Sequence, residues 1–142
     1  GSLWRHPYCG WFDLRDPDGR NWPGAKSLEA VVAQLRAAGA GRGDDAPIVG
    51  WGFDPIYFST HGEGLAYRER RCTRQDLDQV SATRPVGLLH ASGHILNVNT
   101  VALQRAGFLR AGIDHPAFPL GADALPTGEL KGPEAMLPVP TL

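Results

Sequence analysis

The stretch RPVGLLHASGHILNVNTVALQRAG, residues 84–107, decides the fold. Arg84-Pro85 leads into a strand from Val86 to His90, and Ile95 to Val98 reads as a second short extended run. Between them, Ala91-Ser92-Gly93-His94 has the composition of a tight turn. A helix follows from about Thr100 to Ala106, with Asn99 or Thr100 as its cap and Gly107 as its stop.

Working upstream, Leu28, Val31, Val32 and Leu35 recur at helical spacing behind Ser27, so 28–38 is predicted to be an amphipathic helix. Glu29 stands near its positive end, and Gly39 and Gly41 are expected to terminate it. Ile48 to Phe53 reads as a strand in which Gly50 and Gly52 alternate with larger residues. Glycine there marks a bulge or a close approach by another backbone. Asp54-Pro55 ends that strand, Tyr57-Phe58 is a candidate for a short one, and 59–64 reads as a loop. Thr73-Arg74-Gln75-Asp76 has the form of a capping box with Asp76 in place of the usual Glu or Gln, opening a short helix over 74–80. Tyr8 to Leu14 reads as an aromatic-rich strand, followed by turn chemistry at Asp16-Pro17-Asp18-Gly19. Downstream of Gly112 the periodicity fades into a proline-rich segment, where only a short strand at Gly128–Lys131 is placed. The order is strand and helix in alternation, which gives three helices against a small sheet in an α/β or α+β domain, with a mixed sheet admitted.

A length of 142 residues fits one domain, and such a chain can bury roughly 70% of its unfolded surface without staples. With 14 basic and 15 acidic residues the net charge is −1. No large field follows, so neither nucleic acid nor an anionic membrane is an expected partner. The basic run from Arg68 to Arg74 reads as a solvated face. No apolar run has the roughly 18 residues of a membrane span, and no leader is apparent. Two cysteines, Cys9 and Cys72, do not make a disulfide framework, and reduced thiols in the cytoplasm are expected. The opening Gly1-Ser2 reads as the scar of tag removal, so the natural chain is expected to extend upstream of Leu3.

Five histidines invite a metal centre, but the spacing gives little support. His90 and His94 are four apart, yet Ala91 stands where a zinc-protease helix needs Glu. On an extended chain they would be roughly 13 Å apart, unless the turn at Ser92-Gly93 brings them closer. His6, His61 and His115 stand alone and read as surface or capping groups. Cys9 reads as a semi-buried thiol beside Tyr8 and Trp11 in preference to a nucleophile. Ser92 has only half of a nucleophile elbow, because position 90 is His. The polar residues that resist a bland reading are His90, His94 and Asn99, with Asp54 at the end of a glycine-rich strand. They are candidates for a ligand site at strand ends, and capping or bracing of the turn is the alternative.

Four phrases, taken in order, resemble one family. They are Gly50-Trp51-Gly52-Phe53-Asp54-Pro55, Thr73-Arg74-Gln75-Asp76-Leu77-Asp78, Arg84-Pro85-Val86 through His90-Ala91-Ser92-Gly93-His94, and Val98-Asn99-Thr100-Val101-Ala102-Leu103. With Pro126-Thr127-Gly128-Glu129-Leu130 they are similar, over about residues 8–136, to the YtcJ-like branch of the amidohydrolase superfamily, which includes N-substituted formamide deformylases. The resemblance implies that this is an α+β domain, a small mixed sheet packed by two to three helices, inserted just after the first strand of a (β/α)₈ barrel. A barrel needs roughly 250 residues, so the barrel itself is expected to lie outside this chain. Residues 1–113 would be the inserted, substrate-covering domain, and 114–142 a proline-rich, partly disordered segment returning toward the barrel.

The resemblance also implies a parent that uses zinc or another divalent metal to hydrolyse a non-peptide C–N bond of amide or formamide type. Its His-x-His pair would lie upstream of Leu3 and its other metal-binding histidines downstream of Leu142. This chain would then hold no metal ligand and no catalytic residue, and would be inactive alone. By motif position, His94 and Asn99, with His90 and Asp54 behind them, would orient the substrate pocket. Many relatives carry Glu two residues after the Leu of the Pro-Thr-Gly phrase, where this chain has Gly132, with Glu134 displaced by two. The expected partners are the rest of the barrel, a small amide substrate, and further copies of this chain through apolar surface. A non-catalytic binding or regulatory module, as the exoenzyme-regulator names of some relatives suggest, is the alternative. A stand-alone Ser or Cys hydrolase is a third reading.

Overall fold

Side chains two apart on a strand share a face, and the apolar residues of 86–98 divide between two faces that are each covered by different helices. The computed structural model describes residues 7–10, 12–25, 27–40, 46–53, 72–110, 112–113, 115–121 and 123–136. Its elements run β1 (Leu14–Arg15), β2 (Asn21–Trp22), α1 (Leu28–Ala40), β3 (Ile48–Phe53) and α2 (Arg74–Asp78). Then come β4 (Val86–His90), β5 (Ile95–Val98), α3 (Thr100–Ala106), β6 (Glu129–Lys131) and the single turn α4 (Pro133–Met136). The main sheet has the order β3-β4-β5-β6. β3 and β4 are parallel and the other pairs antiparallel, so the sheet is mixed. This is a small α+β fold, and no closed barrel is present among the described residues.

Register explains the two layers. Leu89 lies opposite Leu96, and Leu96 opposite Leu130. These residues and Val98 pack with Ala102 and Leu103 of α3 and with Ala117, Ala135 and Met136. On the other face, Ile48, Val86 and Leu88 pack with Leu28, Val31 and Leu35 of α1 and Leu77 of α2. Truncating a fully buried leucine such as Leu35 or Leu88 would cost about 2–5 kcal/mol.

Most elements match the sequence expectations, and the differences have local causes. α1 begins where Ser27 Oγ accepts the Ala30 N–H at 3.1 Å, but it does not stop at Gly39. That glycine is buried inside the last turn, and an added Cβ would sit 2.6 Å from Ile48 Cδ1. It is a contact site for β3, while its carbonyl accepts from Arg84 Nη1 at 2.9 Å. Gly52 realises the anticipated bulge, whereas Gly50 is approached by side chains and not by another backbone. A Cβ on Gly50 would meet Leu35 Cδ2 at 2.7 Å and Cys9 Sγ at 2.8 Å. Gly52 has φ +82° where the β3–β4 register shifts.

The strand expected over Tyr8–Leu14 is divided. Tyr8 makes a single parallel bridge to Trp51, with Cys9 N–H donating to the Trp51 carbonyl at 2.7 Å. The chain then leaves the sheet: Gly10 accepts from Ala25 N–H at 2.7 Å, and Leu14–Arg15 pairs with Asn21–Trp22 in a separate hairpin. The Asp16-Pro17-Asp18-Gly19 turn closes that hairpin, with the Asp16 carboxylate accepting the Asp18 and Arg20 N–H groups. A bond from the Trp22 indole to the same carboxylate at 3.1 Å holds its pKa below the usual value. Arg20 lies 4.3 Å from the Trp22 ring centroid, a cation–π contact.

α2 ends at Asp78, two residues short of the expected span, because Gln79 and Val80 tighten into a turn. Its start is as anticipated, with Asp76 Oδ2 accepting both the Thr73 N–H at 2.9 Å and the Thr73 hydroxyl at 3.2 Å. The strand placed at Gly128–Lys131 is present as β6 and closes one edge of the main sheet. Asp54, Tyr57-Phe58, the loop at 59–64 and Gly41 lie outside the described residues.

Asn99 joins these pieces. Its Oδ1 accepts from Val86 N at 3.0 Å and Ala102 N at 3.1 Å, and its Nδ2 donates to Ser81 O at 2.9 Å and Arg84 O at 2.8 Å. Gly107, at φ +79°, ends α3 as expected. Replacing Asn99 with Ala strands four backbone groups at once, each costing about 1–3 kcal/mol if no water reaches it. We expect Asn99→Ala to lower unfolding free energy by about 3 kcal/mol or more in urea titration; a loss under 1 kcal/mol would show that the bonds are replaceable.

Candidate functional site

Because β3 and β4 are parallel, their carboxyl ends lie side by side, and ligands of open α/β sheets settle outside such ends. Phe53 pairs with His90, the two rings meet edge to face at 5.1 Å, and Ala91 N–H donates to the Phe53 carbonyl at 2.7 Å. The β4–β5 turn lies at this end. β6 finishes there too, with Lys131 opposite Ile95 and Gly132 N–H donating to the His94 carbonyl at 3.0 Å.

The sequence candidates separate on this frame. His94 is exposed on the turn; its N–H donates to Ser92 Oγ at 3.2 Å, and Gly93 takes φ +77°. His90 is buried on the sheet face shared with Leu88, and its Nε2 is bonded to Asn97 Oδ1. Asn99 lies at the other end of β5, roughly 16 Å along the strand from His94 at 3.3 Å per residue. Its amide is fully used by backbone groups, so the structure joins His90 and His94 at one end and leaves Asn99 at the other. Asp54 lies outside the described residues.

The turn at Ser92-Gly93 does not make the two histidines into a chelating pair, since one ring is turned into the core and the other faces solvent. Among the described residues, no group of three or more His, Cys, Asp or Glu side chains is placed to hold a metal ion. The described residues therefore do not fit a metal centre, and no chemical step is assigned to them. His115 is a local cap, its Nδ1 accepting the Ala117 N–H at 3.0 Å.

Polar groups that sequence reasoning missed are Asn97 and Glu129, both buried and paired across β5 and β6. The available signal was Asn97 itself, a lone amide within the apolar run Ile95 to Val98. A second network surrounds Arg74. Its guanidinium donates to Thr100 Oγ1 at 3.1 Å, Pro126 O at 3.3 Å and Asp123 Oδ2 at 3.0 Å. Asp78 holds Thr100 from the other side, through its N–H at 2.9 Å and its hydroxyl at 2.6 Å.

Neither nucleophile candidate is poised. Ser92 is exposed, and its oxygen accepts from the His94 backbone. Cys9 is fully buried, not half-buried, and burial pushes its thiol up to about 12. Both cysteines are buried. Cys9 Sγ packs over the Gly50 position of β3, whereas the Cys72 carbonyl accepts from Asn97 Nδ2 on β5, two strands away. No helix among the described residues is long and apolar enough to cross a membrane.

Comparison with known proteins gives the class. The model of the Amidohydrolase family matches residues 13–139. This chain belongs to that family. Its fold is similar to part of an uncharacterized metal-dependent hydrolase from Pyrococcus horikoshii OT3, at TM-score 0.53 and 19% identity, covering 80% of this chain and 18% of that one. It is likewise similar to an uncharacterized metal-dependent hydrolase from Pyrococcus furiosus, at TM-score 0.53 and 24% identity, covering 80% of this chain and 19% of that one. The chain thus corresponds to less than a fifth of the length of these solved structures. No curated protein matches it significantly.

The Cys9 environment has a measurable consequence. Its folded pKa of about 12 lies above the ordinary 9.0, so between those values the folded chain retains a proton that the unfolded chain has lost. Stability then falls as pH rises through that window, by up to about 1.4 kcal/mol per pH unit. Urea unfolding of the native chain and of Cys9→Ala from pH 8 to pH 10 should show this slope in the first and its reduction in the second. Equal slopes would mean that Cys9 ionises normally in the fold.

Proposed function

We propose that this chain is the substrate-covering α+β domain of a YtcJ-like amidohydrolase, inserted in a barrel that lies outside residues 1–142. The observation that carries the reading is the combination of a family match over residues 13–139 with coverage of less than a fifth of two metal-dependent hydrolases. On this reading, the parent hydrolyses a non-peptide C–N bond of amide or formamide type. Zinc or another divalent ion is its expected Lewis acid, polarising the scissile carbonyl. The described residues provide no ligand set, and this chain contributes binding and exclusion of water.

Within that role, the carboxyl end of β3 and β4 faces the pocket. His94 is the residue best placed to touch substrate, being exposed on a turn braced by Ser92 and Gly132. His90 stands behind it, packed against Phe53. Asn99 contributes at a distance by fixing the strand and helix that carry the turn. The partners are the remaining barrel and a small amide. Two buried cysteines suit a reducing, cytoplasmic setting. Without its barrel, the domain would self-associate through the surface that the barrel covers.

Metal analysis by mass spectrometry after dialysis is the direct test, made on this chain and on a longer one extended in both directions. The expected result is no stoichiometric metal and no turnover in this chain, and one or two ions with formamide hydrolysis in the longer one. In the longer chain, His94→Ala should raise KM about tenfold with a smaller change in kcat, as loss of a substrate contact does. One tightly held zinc in the 142-residue chain would overturn the reading. Sedimentation across a hundredfold dilution should show reversible association, and a strict monomer would argue against a barrel-facing apolar surface.

A further inference from the structure

We propose that Asn97 is a positioning residue that holds His90 as its Nε2–H tautomer, so that Nδ1 is the only ring nitrogen of His90 that titrates. The Cys72 backbone carbonyl can only accept, and it lies 2.9 Å from the Asn97 amide nitrogen. That contact orients the carboxamide with Nδ2 toward Cys72, which leaves Oδ1 facing His90 Nε2. A carboxamide oxygen has no hydrogen to give, so Nε2 must carry one.

The opposite tautomer would set two lone pairs against each other in a buried place. Asn97 is 1% exposed and His90 is 6% exposed, so water cannot readily rescue either atom. A buried bond lost in this way corresponds to about tenfold or more in the tautomer ratio. The orientation is further fixed by Phe53, whose ring meets the imidazole edge to face. Protonation of His90 keeps the Nε2 hydrogen and adds one at Nδ1, so the bond to Asn97 survives in both charge states.

This assignment stands on the Cys72–Asn97–His90 geometry and does not rest on the proposed function. In the neutral ring, Nδ1 is an acceptor. Whatever group meets it, from this chain or from a bound ligand, must bring an N–H or O–H. Asn97 thereby fixes which kind of group can face this nitrogen of His90.

Two-bond proton–nitrogen correlation NMR of the labelled 142-residue chain reads the tautomer directly, with the His90 signals assigned by their loss in His90→Gln. The expected result is a protonated Nε2 across the whole pH titration, with only Nδ1 changing type. Asn97→Asp should keep the Nε2–H form and move the His90 midpoint upward, since a carboxylate favours the charged ring. Asn97→Leu should let the two tautomers mix. A native ring protonated at Nδ1, mixed tautomers, or an Asp variant that leaves the midpoint unmoved would each overturn the assignment, and should Asn97→Leu not fold, the Asp variant carries the test. None of these readouts involves turnover or metal, so the tautomer can fail while the proposed function stands, and the reverse.

Discussion

A single carboxamide sets the arrangement on which the rest of the domain depends. Asn99 has two hydrogens to give and an oxygen that can accept twice, and all four bonds go to backbone groups at Ser81, Arg84, Val86 and Ala102. These groups belong to the approach to β4, its first residue, and the first turn of α3. One side chain therefore fixes where the central strand starts and where the helix behind it starts. A side chain without a carboxamide would leave at least one of the four groups without a partner in a dry interior.

The phrases that carry the family resemblance do much of their work against one another. Thr73 and Asp76 start α2, Leu77 enters the core, and Asp78 reaches across to Thr100. Arg74 links the same Thr100 to Asp123 and the Pro126 carbonyl. Gly128 completes this contact. It takes φ +106°, and a Cβ there would lie 2.6 Å from the Val98 carbonyl and 2.9 Å from the Arg74 nitrogen. Segments separated by fifty residues thus meet at one place, which gives a physical reason for their appearing together in one sequence. The exposed turn at His94 is held on this scaffold without belonging to it.

Regular elements were legible wherever a local pattern decided them. The spans 48–53, 86–90 and 95–98 follow from apolar runs bounded by turn residues, and Asn99 and Gly107 marked the ends of α3 by composition. Gly39 misled because glycine ordinarily ends helices, and only the position of Ile48 shows why it is carried inside this one. The division of 8–14 was invisible because it depends on Trp51 and Ala25, partners distant in sequence. Candidate residues could be named from the sequence, but their grouping in space could not. His90, His94 and Asn99 are close in the chain, yet β5 carries Asn99 to the far end of the sheet. Asn97 escaped notice because nothing local shows that its neighbour across the strand is Leu88 and that a histidine and a carbonyl lie on either side of it.

The parallel pairing of β3 with β4 also bears on how the chain reaches its fold. β4, β5 and α3 are contiguous and joined by tight connections, so they can assemble from local contacts. β3 can dock beside β4 only after the ends of residues 54–85 are brought together, and the entropy of that closure is spent before the pairing returns anything. The long-range step completes the same sheet end where Phe53 meets His90. An early unit of β4, β5 and α3 would therefore hold its turn already formed while its strand edge waits for β3. Synthesis from the amino terminus makes β3 first and leaves it without its partner until β4 has emerged, an interval in which an unpaired apolar strand is open to other chains.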